Sequence, residues 1–386
     1  MTRRSVLYAT TGLGYGGAET QVVNLALGVK RRGWEVNVVS LLAPEAHTEL
    51  LLEEGIGVFA LNMRRGVPDP KGIIALACIY RTFKPAVVHS HMIHANLLAR
   101  AARLLAPVPV LISTAHNTIE VGRSFRTERS THLAYGLTDF LADLTTIVSR
   151  EGLRRFIEGK AVRPDKVMYV PNGVDVKKYK PSQEARERLR RELGLGETFT
   201  WLAVGRLEKA KDYPTLLKAF SRVVMAKPEA KLLIVGEGSL REELEGLVVA
   251  LSLQKSVRLL GLRKDIPELM NAADALVMSS AWEGLPMVVL EAQASGLPVM
   301  ATGVGAIPDV VQEGETGFLV PPGDLEALAQ AMLRLMALSD SERRAMGARG
   351  RERVLREYSL ESIVDRWLAI YEESLLRKGY TFADID

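Results

Sequence analysis

The sequence has a single cysteine, Cys78, among 386 residues, so no disulfide can form within the chain. Cys78 lies in an apolar segment, where a free thiol usually behaves as a small hydrophobic side chain. We therefore predict a core position for Cys78. The scarcity of cysteine is also typical of a protein that works in the reducing cytoplasm.

Long hydrophobic runs are absent as well. No stretch approaches the roughly 20 apolar residues that a membrane-spanning helix needs. The apolar run after Arg3 and Arg4 ends at a glycine cluster and has no convincing cleavage site, so we do not interpret it as a signal peptide. We expect a cytoplasmic protein, with any membrane contact limited to peripheral binding at the inner face.

The chain has little excess charge, with a net charge of +4 and a sequence pI near 9.0. This balance permits an acidic substrate or an anionic membrane surface without requiring either. No arginine-rich run and no interleaving of aromatic and basic residues indicates a nucleic-acid partner. A hydrophobic content of 47% is ordinary for a globular protein, and 386 residues suit two domains.

Residues 282–296 read WEGLPMVVLEAQASG and follow a short apolar run that predicts a buried strand at 276–278. Pro286 suits the first turn of a helix, because its φ is preset and its missing N–H would have no partner there. A strand, a loop and a helix in this order point backbone N–H groups at the loop, which favours a phosphate. Glu283 and Glu291 can accept hydrogen bonds from hydroxyls, so a sugar nucleotide would satisfy both features. Compensation of the helix dipole is the alternative explanation.

A glycine-rich turn lies between the first predicted strand and the first predicted helix. Gly12, Gly14 and Gly17 satisfy the G-x-G-x-x-G pattern of dinucleotide-binding domains. That interpretation also needs an acidic residue at the end of the second strand, but the nearest acid is Glu45, beyond Pro44. The glycines therefore indicate a close approach of backbone to a ligand or a second domain, and a nicotinamide cofactor is the less favoured explanation.

Short apolar runs alternate with helical segments, which implies right-handed crossovers and parallel sheets. The predicted strands lie at residues 5–10, 36–42, near 58, 86–89, 110–114, 144–148 and 167–170 and, after a turn-forming junction at 171–175, at 200–204, 231–235, 257–261 and 276–278. We predict an α/β protein of two Rossmann-like domains, at residues 1–174 and 175–359. Ligands of such sheets lie beyond the carboxyl ends of the strands.

Histidines occur at two of these strand ends. His89, His91 and His94 form H-x-H-x-x-H, but no cysteine or well-placed carboxylate accompanies them. Strand-end hydrogen bonding is therefore favoured over zinc ligation. His116 directly follows an apolar strand and is the better candidate for a site histidine, with a simple loop-capping role as the alternative.

Basic residues form two further candidate sites. Arg206 and Lys211 flank a predicted strand-to-helix loop, where a fork-shaped donor and a point cation can clamp a diphosphate. Arg123, Arg126 and Arg129 are spaced by three, which on a helix makes a one-sided cationic stripe. In both sites ordinary solvated side chains are the competing explanation.

In combination these motifs resemble the retaining family-4 glycosyltransferases of the GT-B architecture. The resemblance covers nearly the whole chain: GLGYGGAE at the start, the strand end at His116, PNGVD at the junction, VGRLEKAKDYPTLLKAF, VRLLGLRKD, and the E-x7-E motif from Glu283 to Glu291. It implies two Rossmann-like domains facing across a cleft, the first binding the acceptor and the second the nucleotide sugar. The amphipathic tail, about 360–386, would cross back to the first domain.

The resemblance also implies roles for individual residues. Arg206 and Lys211 would bind the donor diphosphate and Glu283 the hydroxyls of the transferred sugar. Glu291 would bind the ribose, and His116 would lie beside the reacting sugar. His116, Glu283, Arg206 and Lys211 are the predicted catalytic set. The other predicted donor-binding positions are Gly16 and Gly17 in the first domain and Leu262, Arg263, Gly284, Leu285, Pro286, Met287 and Val288 in the second.

Transfer from a nucleotide sugar builds negative charge on the leaving diphosphate, which preplaced cations and helix N–H groups stabilise. The one D-x-D sequence is residues 384–386, away from any predicted strand end. We therefore expect no cofactor and no required metal ion, with Arg206 and Lys211 supplying the positive charge.

The stretches HSHMIHANLLAR and STAHNTIEVGR resemble those of the family members that extend lipid-linked or surface-polysaccharide intermediates. We therefore expect a UDP-linked hexose or N-acetylhexosamine as donor and a saccharide or lipid-linked acceptor, with Arg123, Arg126 and Arg129 near that acceptor or a membrane. The alternatives are a GDP-mannose-dependent mannosyltransferase, a sugar-nucleotide epimerase on the same fold, a nicotinamide oxidoreductase and a non-catalytic binder.

Overall fold

The structure, a computed structural model, describes residues 4–64, 69–116 and 125–381, with only the backbone described at 125–128. The chain divides into two compact units. The first consists of Met1–Gly173 together with Leu360–Asp386, and the second is Val174–Ser359.

The strands are β1 (Ser5–Thr10), β2 (Glu35–Ser40), β3 (Gly57–Ala60), β4 (Val87–His91), β5 (Val110–Ala115), β6 (Leu144–Ile147), β7 (Val167–Tyr169), β8 (Thr200–Val204), β9 (Lys231–Val235), β10 (Val257–Leu259), β11 (Ala275–Met278), β12 (Val299–Thr302) and β13 (Gly317–Val320). The helices are α1 (Gly17–Arg31), α2 (Thr48–Glu53), α3 (Pro70–Phe83), α4 (Ile93–Leu105), α5 (Phe125–Thr138), α6 (Arg150–Glu158), α7 (Gln183–Glu192), α8 (Tyr213–Ala226), α9 (Arg241–Ala250), α10 (Ile266–Ala272), α11 (Met287–Ala294), α12 (Ile307–Val310), α13 (Leu325–Ala337), α14 (Asp340–Glu357) and α15 (Leu360–Arg377). Short 3₁₀ turns lie at Asp139–Leu141, Pro164–Lys166 and Lys209–Lys211.

The first unit is built on a parallel seven-stranded sheet in the order β3-β2-β1-β4-β5-β6-β7. All six residues of β1 are buried, as expected of a strand covered on both faces. Val6 and Tyr8 contribute to a core that includes α1 and α15, whereas Leu7 and Ala9 pack with residues of α3 and α4. This two-residue alternation places helices on both faces of the sheet.

The C-terminal helix α15 belongs to the first unit, as predicted. Its Trp367 and Tyr371 are buried in the core beside α1. The Tyr371 hydroxyl lies 3.1 Å from that of Tyr8, and the Trp367 ring centroid lies 4.3 Å from that of His89. Helix α15 thus packs with α1 in the core of the first unit.

The second unit has a parallel six-stranded sheet in the order β10-β9-β8-β11-β12-β13. Its core packs Trp201 and Ala203 of β8 against the buried face of α8, including Leu216 and Phe220. The predicted pair of parallel Rossmann-like sheets is therefore confirmed. Strands β12 and β13 follow the last strand that the sequence predicted.

Two local predictions need correction. Cys78 is exposed, because the helical phase of α3 turns Leu76, Ala77 and Tyr80 toward the core and Cys78 outward. Pro286 is the N-cap of α11 and not a residue of its first turn. Within the described residues, no helix is long and apolar enough to cross a bilayer.

Each sheet reverses its strand order once near its centre, between β1 and β4 in the first unit and between β8 and β11 in the second. At such a reversal the connecting helices diverge to opposite faces and leave a crevice beyond the carboxyl ends of the strands. The topology therefore points to residues that follow β1 and β4, and to residues that follow β8 and β11.

Candidate functional site

In the second unit, the crevice between β8 and β11 holds an ion pair between two residues predicted from the sequence. Lys211 follows β8, and Glu283 follows β11. Lys211 Nζ donates to Glu283 Oε1 at 2.5 Å, and Ser280 Oγ donates to the same oxygen at 2.7 Å. Lys211 ends the 3₁₀ turn after β8, and Ser280 and Glu283 lie in the loop after β11. The side chains of Lys211 and Glu283 retain 18% and 12% exposure, so a ligand in the crevice can reach them.

Backbone hydrogen bonds hold the two loops together. Ser279 Oγ donates to the carbonyl oxygens of Lys211 at 2.8 Å and Asp212 at 3.0 Å. The N–H of Ala281 donates to the carbonyl of Ala210 at 2.9 Å. Because the loop after β8 and the loop after β11 share these bonds, Lys211 and Glu283 are positioned as one unit.

Gly305 closes the crevice from the loop after β12. It has a φ of +59°, and a Cβ there would collide with the carbonyl oxygen of Glu283 and lie 2.6 Å from that of Gly284. The next residue, Ala306, donates its N–H to the Gly284 carbonyl at 2.8 Å. Only glycine permits both this backbone conformation and this close approach.

The start of α11 supplies the predicted anion-binding geometry. Leu285, Met287 and Val288 are buried, and no side chain caps the helix. The first N–H groups of a helix have no partner within it and sit at the positive end of its dipole. The turn from Gly284 to Val288 therefore presents a positive backbone surface next to the Lys211–Glu283 pair.

Arg206 and two further predicted donor-binding residues, Leu262 and Arg263, follow strands whose carboxyl ends lie at the same edge of the sheet. Arg206 is exposed and, among the residues the structure describes, forms no ion pair. Leu262 is 56% exposed after β10, whereas Arg263 donates twice to Asp265, at 2.8 and 2.5 Å. The hydrogen bonds from Arg263 hold the pKa of the Asp265 carboxyl below its usual value. Because its guanidinium is bonded to Asp265, Arg263 can offer a ligand mainly its backbone groups.

Glu291 lies one helical turn further along α11 than Met287. The residue keeps some exposed surface, but burial of its carboxyl raises the pKa to about 7. Hydrogen bonding from Tyr179 and the nearby charge of Lys178 act in the opposite direction and lower the pKa. Glu283 and Glu291 are thus in different environments. The first is paired with Lys211, and the carboxyl of the second is buried.

In the first unit, the crevice between β1 and β4 holds histidines. His91 Nδ1 and His116 Nε2 are 2.9 Å apart, and Thr10, His91 and Thr114 are in register across β1, β4 and β5. His91 and His116 are both buried, and the second ring nitrogen of each has no hydrogen-bond partner among the described residues. Burial lowers the pKa of His116 to about 4. His116 is therefore a neutral imidazole with one unused nitrogen.

The H-x-H-x-x-H motif does not form a metal site in this structure. Both ring nitrogens of His89 are engaged, Nδ1 with the Tyr371 hydroxyl at 2.6 Å and Nε2 with Thr114 Oγ1 at 2.7 Å. His94 is exposed on α4. Strand-end hydrogen bonding, the explanation favoured from the sequence, accounts for His89.

The remaining predicted residues belong to the first unit. Gly16 is the N-cap of α1, and a Cβ there would collide with the Glu19 carboxylate; Gly17 is the first residue of the helix and is exposed. Arg123 lies outside the described residues. Arg126 is on α5 with only its backbone described, and Arg129 is exposed on the same helix.

Several residues of these sites are not among those predicted from the sequence. Ser279 and Ser280 directly follow a buried strand, which is the same signal that selected His116, and could have been found. Gly305, Tyr179 and the pairing of His91 with His116 depend on contacts between distant parts of the chain and have no local signal.

Two family models match the chain: "Glycosyltransferase Family 4" at residues 15–178 and "Glycosyl transferases group 1" at residues 185–353. The Escherichia coli UDP-Gal:alpha-D-GlcNAc-diphosphoundecaprenol alpha-1,3-galactosyltransferase is 29% identical over 322 residues, covering 81% of both chains. A GDP-mannose-dependent monoacylated alpha-(1-6)-phosphatidylinositol monomannoside mannosyltransferase of Corynebacterium glutamicum is 36% identical over 237 residues, 58% of this chain and 60% of that protein.

Among solved structures, Anabaena HepE in complex with UDP-glucose superposes with a TM-score of 0.84 at 23% identity. The match covers 96% of this chain and 99% of that one. At this identity the likeness shows the fold, and it agrees with the two parallel sheets described above. The family models, the curated relatives and the fold lead to one conclusion: the chain belongs to the family-4 glycosyltransferases of the GT-B fold and is a hexosyltransferase.

Proposed function

We propose that this enzyme transfers a hexose or N-acetylhexosamine, with retention of anomeric configuration, from a UDP-sugar to a saccharide or lipid-linked acceptor. The observation that carries the proposal is the cluster of Lys211, Glu283 and Ser280 beside the start of α11, with Arg206 on the same rim. It combines cationic groups for a diphosphate with a carboxylate for sugar hydroxyls.

Each part of the cluster has a role in the transfer. The bond from the anomeric carbon to the diphosphate oxygen breaks, and negative charge grows on that oxygen. Lys211, Arg206 and the N–H groups at the start of α11 stabilise this charge. Glu283 accepts hydrogen bonds from the sugar. The acceptor oxygen bonds to the anomeric carbon on the face from which the diphosphate leaves, and its proton passes to the leaving phosphate oxygen.

Roles for His116 and the glycines complete the proposal. A neutral His116 with an unused ring nitrogen can hydrogen-bond a sugar hydroxyl without adding charge. Gly16 and Gly17 at the start of α1 allow backbone to approach the diphosphate, and Glu291 takes the ribose. Leu262 and the backbone of Arg263 meet the base.

A lipid-linked acceptor requires work at a membrane surface, and α5 offers a suitable face. Four exposed residues follow one another at helical spacing along α5 and the 3₁₀ turn after it. They are Arg129, Leu133, Leu137 and Phe140, here called the α5 face. The three apolar side chains are 63%, 67% and 70% exposed. Arg103 of α4 donates to the Leu141 carbonyl at 2.8 Å, which ties the turn after α5 to α4.

An exposed apolar patch next to basic residues is typical of surfaces that bind anionic bilayers. Arg123, Arg126 and the Arg64–Arg65 pair are further basic residues in the sequence of the first unit. We include peripheral binding to the inner membrane face through the α5 face in the proposal.

The donor base is the point on which the relatives differ. The E. coli relative is named for UDP-galactose and HepE was solved with UDP-glucose, whereas the Corynebacterium relative is named for GDP-mannose. Thermal-shift screening against UDP-, GDP- and ADP-sugars separates these donors, since a ligand at one hundred times its Kd stabilises by about 2.7 kcal/mol. A selective shift with a GDP-sugar would replace the UDP proposal with the mannosyltransferase alternative.

We further propose that no metal ion is required, because Lys211 and Arg206 supply the positive charge. Transfer should continue in excess EDTA. Complete loss of activity that Mg²⁺ or Mn²⁺ restores would contradict this part of the proposal. Retention is tested separately, by NMR of the anomeric proton in the first product formed.

A further inference from the structure

The buried pair of His91 and His116 lies where β4 and β5 end. His91 is the last residue of β4, and His116 directly follows β5. The two rings meet through Nδ1 of His91 and Nε2 of His116, which are 2.9 Å apart. Nε2 of His91 and Nδ1 of His116 are buried and have no hydrogen-bond partner among the described residues. Each ring therefore uses one nitrogen for its neighbour and leaves the other unused.

The His91 ring is held in place by other rings of the first unit. Its centroid lies 4.0 Å from that of His89 and 5.8 Å from that of Tyr8. His89 is itself fixed, because its two nitrogens are hydrogen-bonded to Tyr371 and Thr114. His91 cannot turn away from His116 without losing these contacts.

The backbone that follows His91 fixes the spacing between the two histidines. Met92 has a φ of +70° and a ψ of 155°, a conformation that residues with a side chain rarely adopt. Its N–H donates to the Thr114 carbonyl at 3.1 Å, and the Asn96 side chain donates to the same carbonyl at 2.9 Å. These bonds tie the end of β4 to β5 two residues before His116.

The proton positions of the two rings depend on each other. Burial lowers the pKa of both histidines, so both are neutral at pH 7. A hydrogen bond between neutral imidazoles joins one N–H to one lone pair. If His91 donates, the proton of His116 is on Nδ1, and if His116 donates, its Nδ1 carries a lone pair. In either case the pair leaves one donor and one acceptor unused.

We propose that His91 is a positioning residue for the transfer: its hydrogen bond to Nε2 of His116 fixes the ring and the tautomer of His116, so that Nδ1 meets a hydroxyl of the transferred sugar. The inference rests on the proposed role of His116 beside that sugar. Without His91, the His116 ring can rotate and either nitrogen can carry the proton. A fixed tautomer therefore selects how the sugar hydroxyl is oriented.

The first test is ¹H–¹⁵N NMR of the full chain with ¹⁵N-labelled histidine rings, which distinguishes protonated from unprotonated nitrogens. In the wild type, His116 should show a single tautomer. His91→Phe keeps a ring but loses both nitrogens, so His116 should show a mixture of tautomers. His91→Asn places an amide near the position of Nδ1 and should restore the single form. The control is His94→Phe, on the exposed surface of α4, which should leave the His116 signals unchanged.

The second test asks which nitrogen of His116 serves the transfer. The amide of an asparagine lies near Nδ1 of a histidine, and that of a glutamine lies near Nε2. His116→Asn should therefore keep the sugar contact, whereas His116→Gln should keep only the bond to His91. Transfer kcat should fall roughly three- to tenfold further in His116→Gln than in His116→Asn, the effect of one neutral hydrogen bond. Calorimetric binding of UDP, which has no transferred sugar, should be the same in both.

A mixture of His116 tautomers in the wild type, or an unchanged His116 spectrum in His91→Phe, would overturn the role of His91. Equal kcat in His116→Gln and His116→Asn would overturn the contact through Nδ1. A wild-type chain that transfers no sugar from UDP-, GDP- or ADP-linked donors would overturn the proposed function and with it the sugar contact. The coupling of the two tautomers is measured without a donor, so the failure of one is distinct from the failure of the other.

Discussion

The two sheets of this enzyme reverse their strand order at equivalent points, yet different chemistry occupies the two crevices. In the first unit the crevice beyond β1 and β4 holds His91 and His116, which are buried and hydrogen-bonded to each other. In the second unit the crevice beyond β8 and β11 holds Lys211 and Glu283, partly exposed and paired as ions. One fold thus presents a neutral site and a charged site.

Burial explains why the histidine crevice stays neutral. Desolvation disfavours the charged form of an imidazole, and it lowers the pKa of His91 and of His116. In the second unit Lys211 and Glu283 form an ion pair and keep part of their side chains exposed to solvent. In the proposed transfer, the charged crevice would meet the charge that develops on the diphosphate, and the neutral crevice would meet hydroxyl groups.

The largest effect should come from the charged crevice. Lys211→Ala or Arg206→Ala is expected to lower kcat by roughly 10²–10³, the usual loss for one donor to a developing charge. Turnover of the donor selected by thermal shift, measured as release of its nucleoside diphosphate, checks this. Lys218→Ala, an exposed lysine on α8, is the control and should keep full activity. Near-normal turnover in both site variants would contradict the proposed diphosphate clamp.

The neutral crevice should affect stability as pH falls. Folded His116 titrates near pH 4, whereas in the unfolded chain its pKa is near the ordinary value of 6.5. Between these two pH values His116 binds a proton in the unfolded chain but not in the folded one. Its contribution to the free energy of unfolding is therefore fully present above pH 6.5 and falls as pH drops toward 4. His116 alone should contribute about 3 kcal/mol over this range, with about 2 kcal/mol lost by pH 5.

Urea unfolding at pH 7.5 and pH 5 measures this loss. His116→Gln should reduce the difference in unfolding free energy between the two pH values, whereas His94→Gln, on the exposed surface of α4, should not. An identical pH dependence in His116→Gln and the wild type would show that His116 is not held neutral by the fold.

A smaller effect is expected where backbone geometry shapes the charged crevice. Gly305→Ala should cost about 2 kcal/mol of stability from its left-handed φ alone, and more because the new Cβ meets the Glu283 and Gly284 carbonyls. Gly323 also has a positive φ, of +74°, but open space around it. Gly323→Ala should therefore show only the conformational cost. Equal melting temperatures for the two variants would mean that the loop at Gly305 can shift away from the new Cβ without a further loss of stability.

The positions of most strands along the chain and several residues that follow them could be predicted from the sequence, because both depend on local patterns. Apolar runs of four to six residues identified β1, β8 and β9 with their observed bounds. A polar or charged residue close after such a run marked His116 and Arg206, and Lys211 was selected because it flanks the same strand-to-helix loop as Arg206. The second of each pair of facing residues was harder to find, because contacts such as His91–His116 form only after folding.

Helical phase explains why Cys78 was misplaced. An apolar segment does not reveal which side of the helix faces the core, and α3 packs its Leu76 and Tyr80 inward. The same limit applies to α5. Its exposed leucines look like core residues in the sequence, and only the structure shows that they form an apolar surface.

The smallest expected effect concerns that surface, which belongs to the first unit. Arg129→Gln should weaken sedimentation with vesicles containing anionic phosphatidylglycerol by about 1 kcal/mol, roughly fivefold, because one basic residue near the surface contributes that much. Arg344→Gln removes the same charge from an exposed position in the second unit and should have no effect.

A companion change separates apolar insertion from charge. Leu137→Ser removes an exposed apolar side chain from the α5 face, and Met225→Ser removes one that is 84% exposed in the second unit. If the first unit docks on the bilayer, Leu137→Ser weakens binding to anionic vesicles at both low and high salt, because burial of apolar area is not screened, whereas the loss from Arg129→Gln fades as salt rises. Vesicle binding that is equal for wild type, Arg129→Gln and Leu137→Ser would remove the α5 face from the proposal and leave the donor site unaffected.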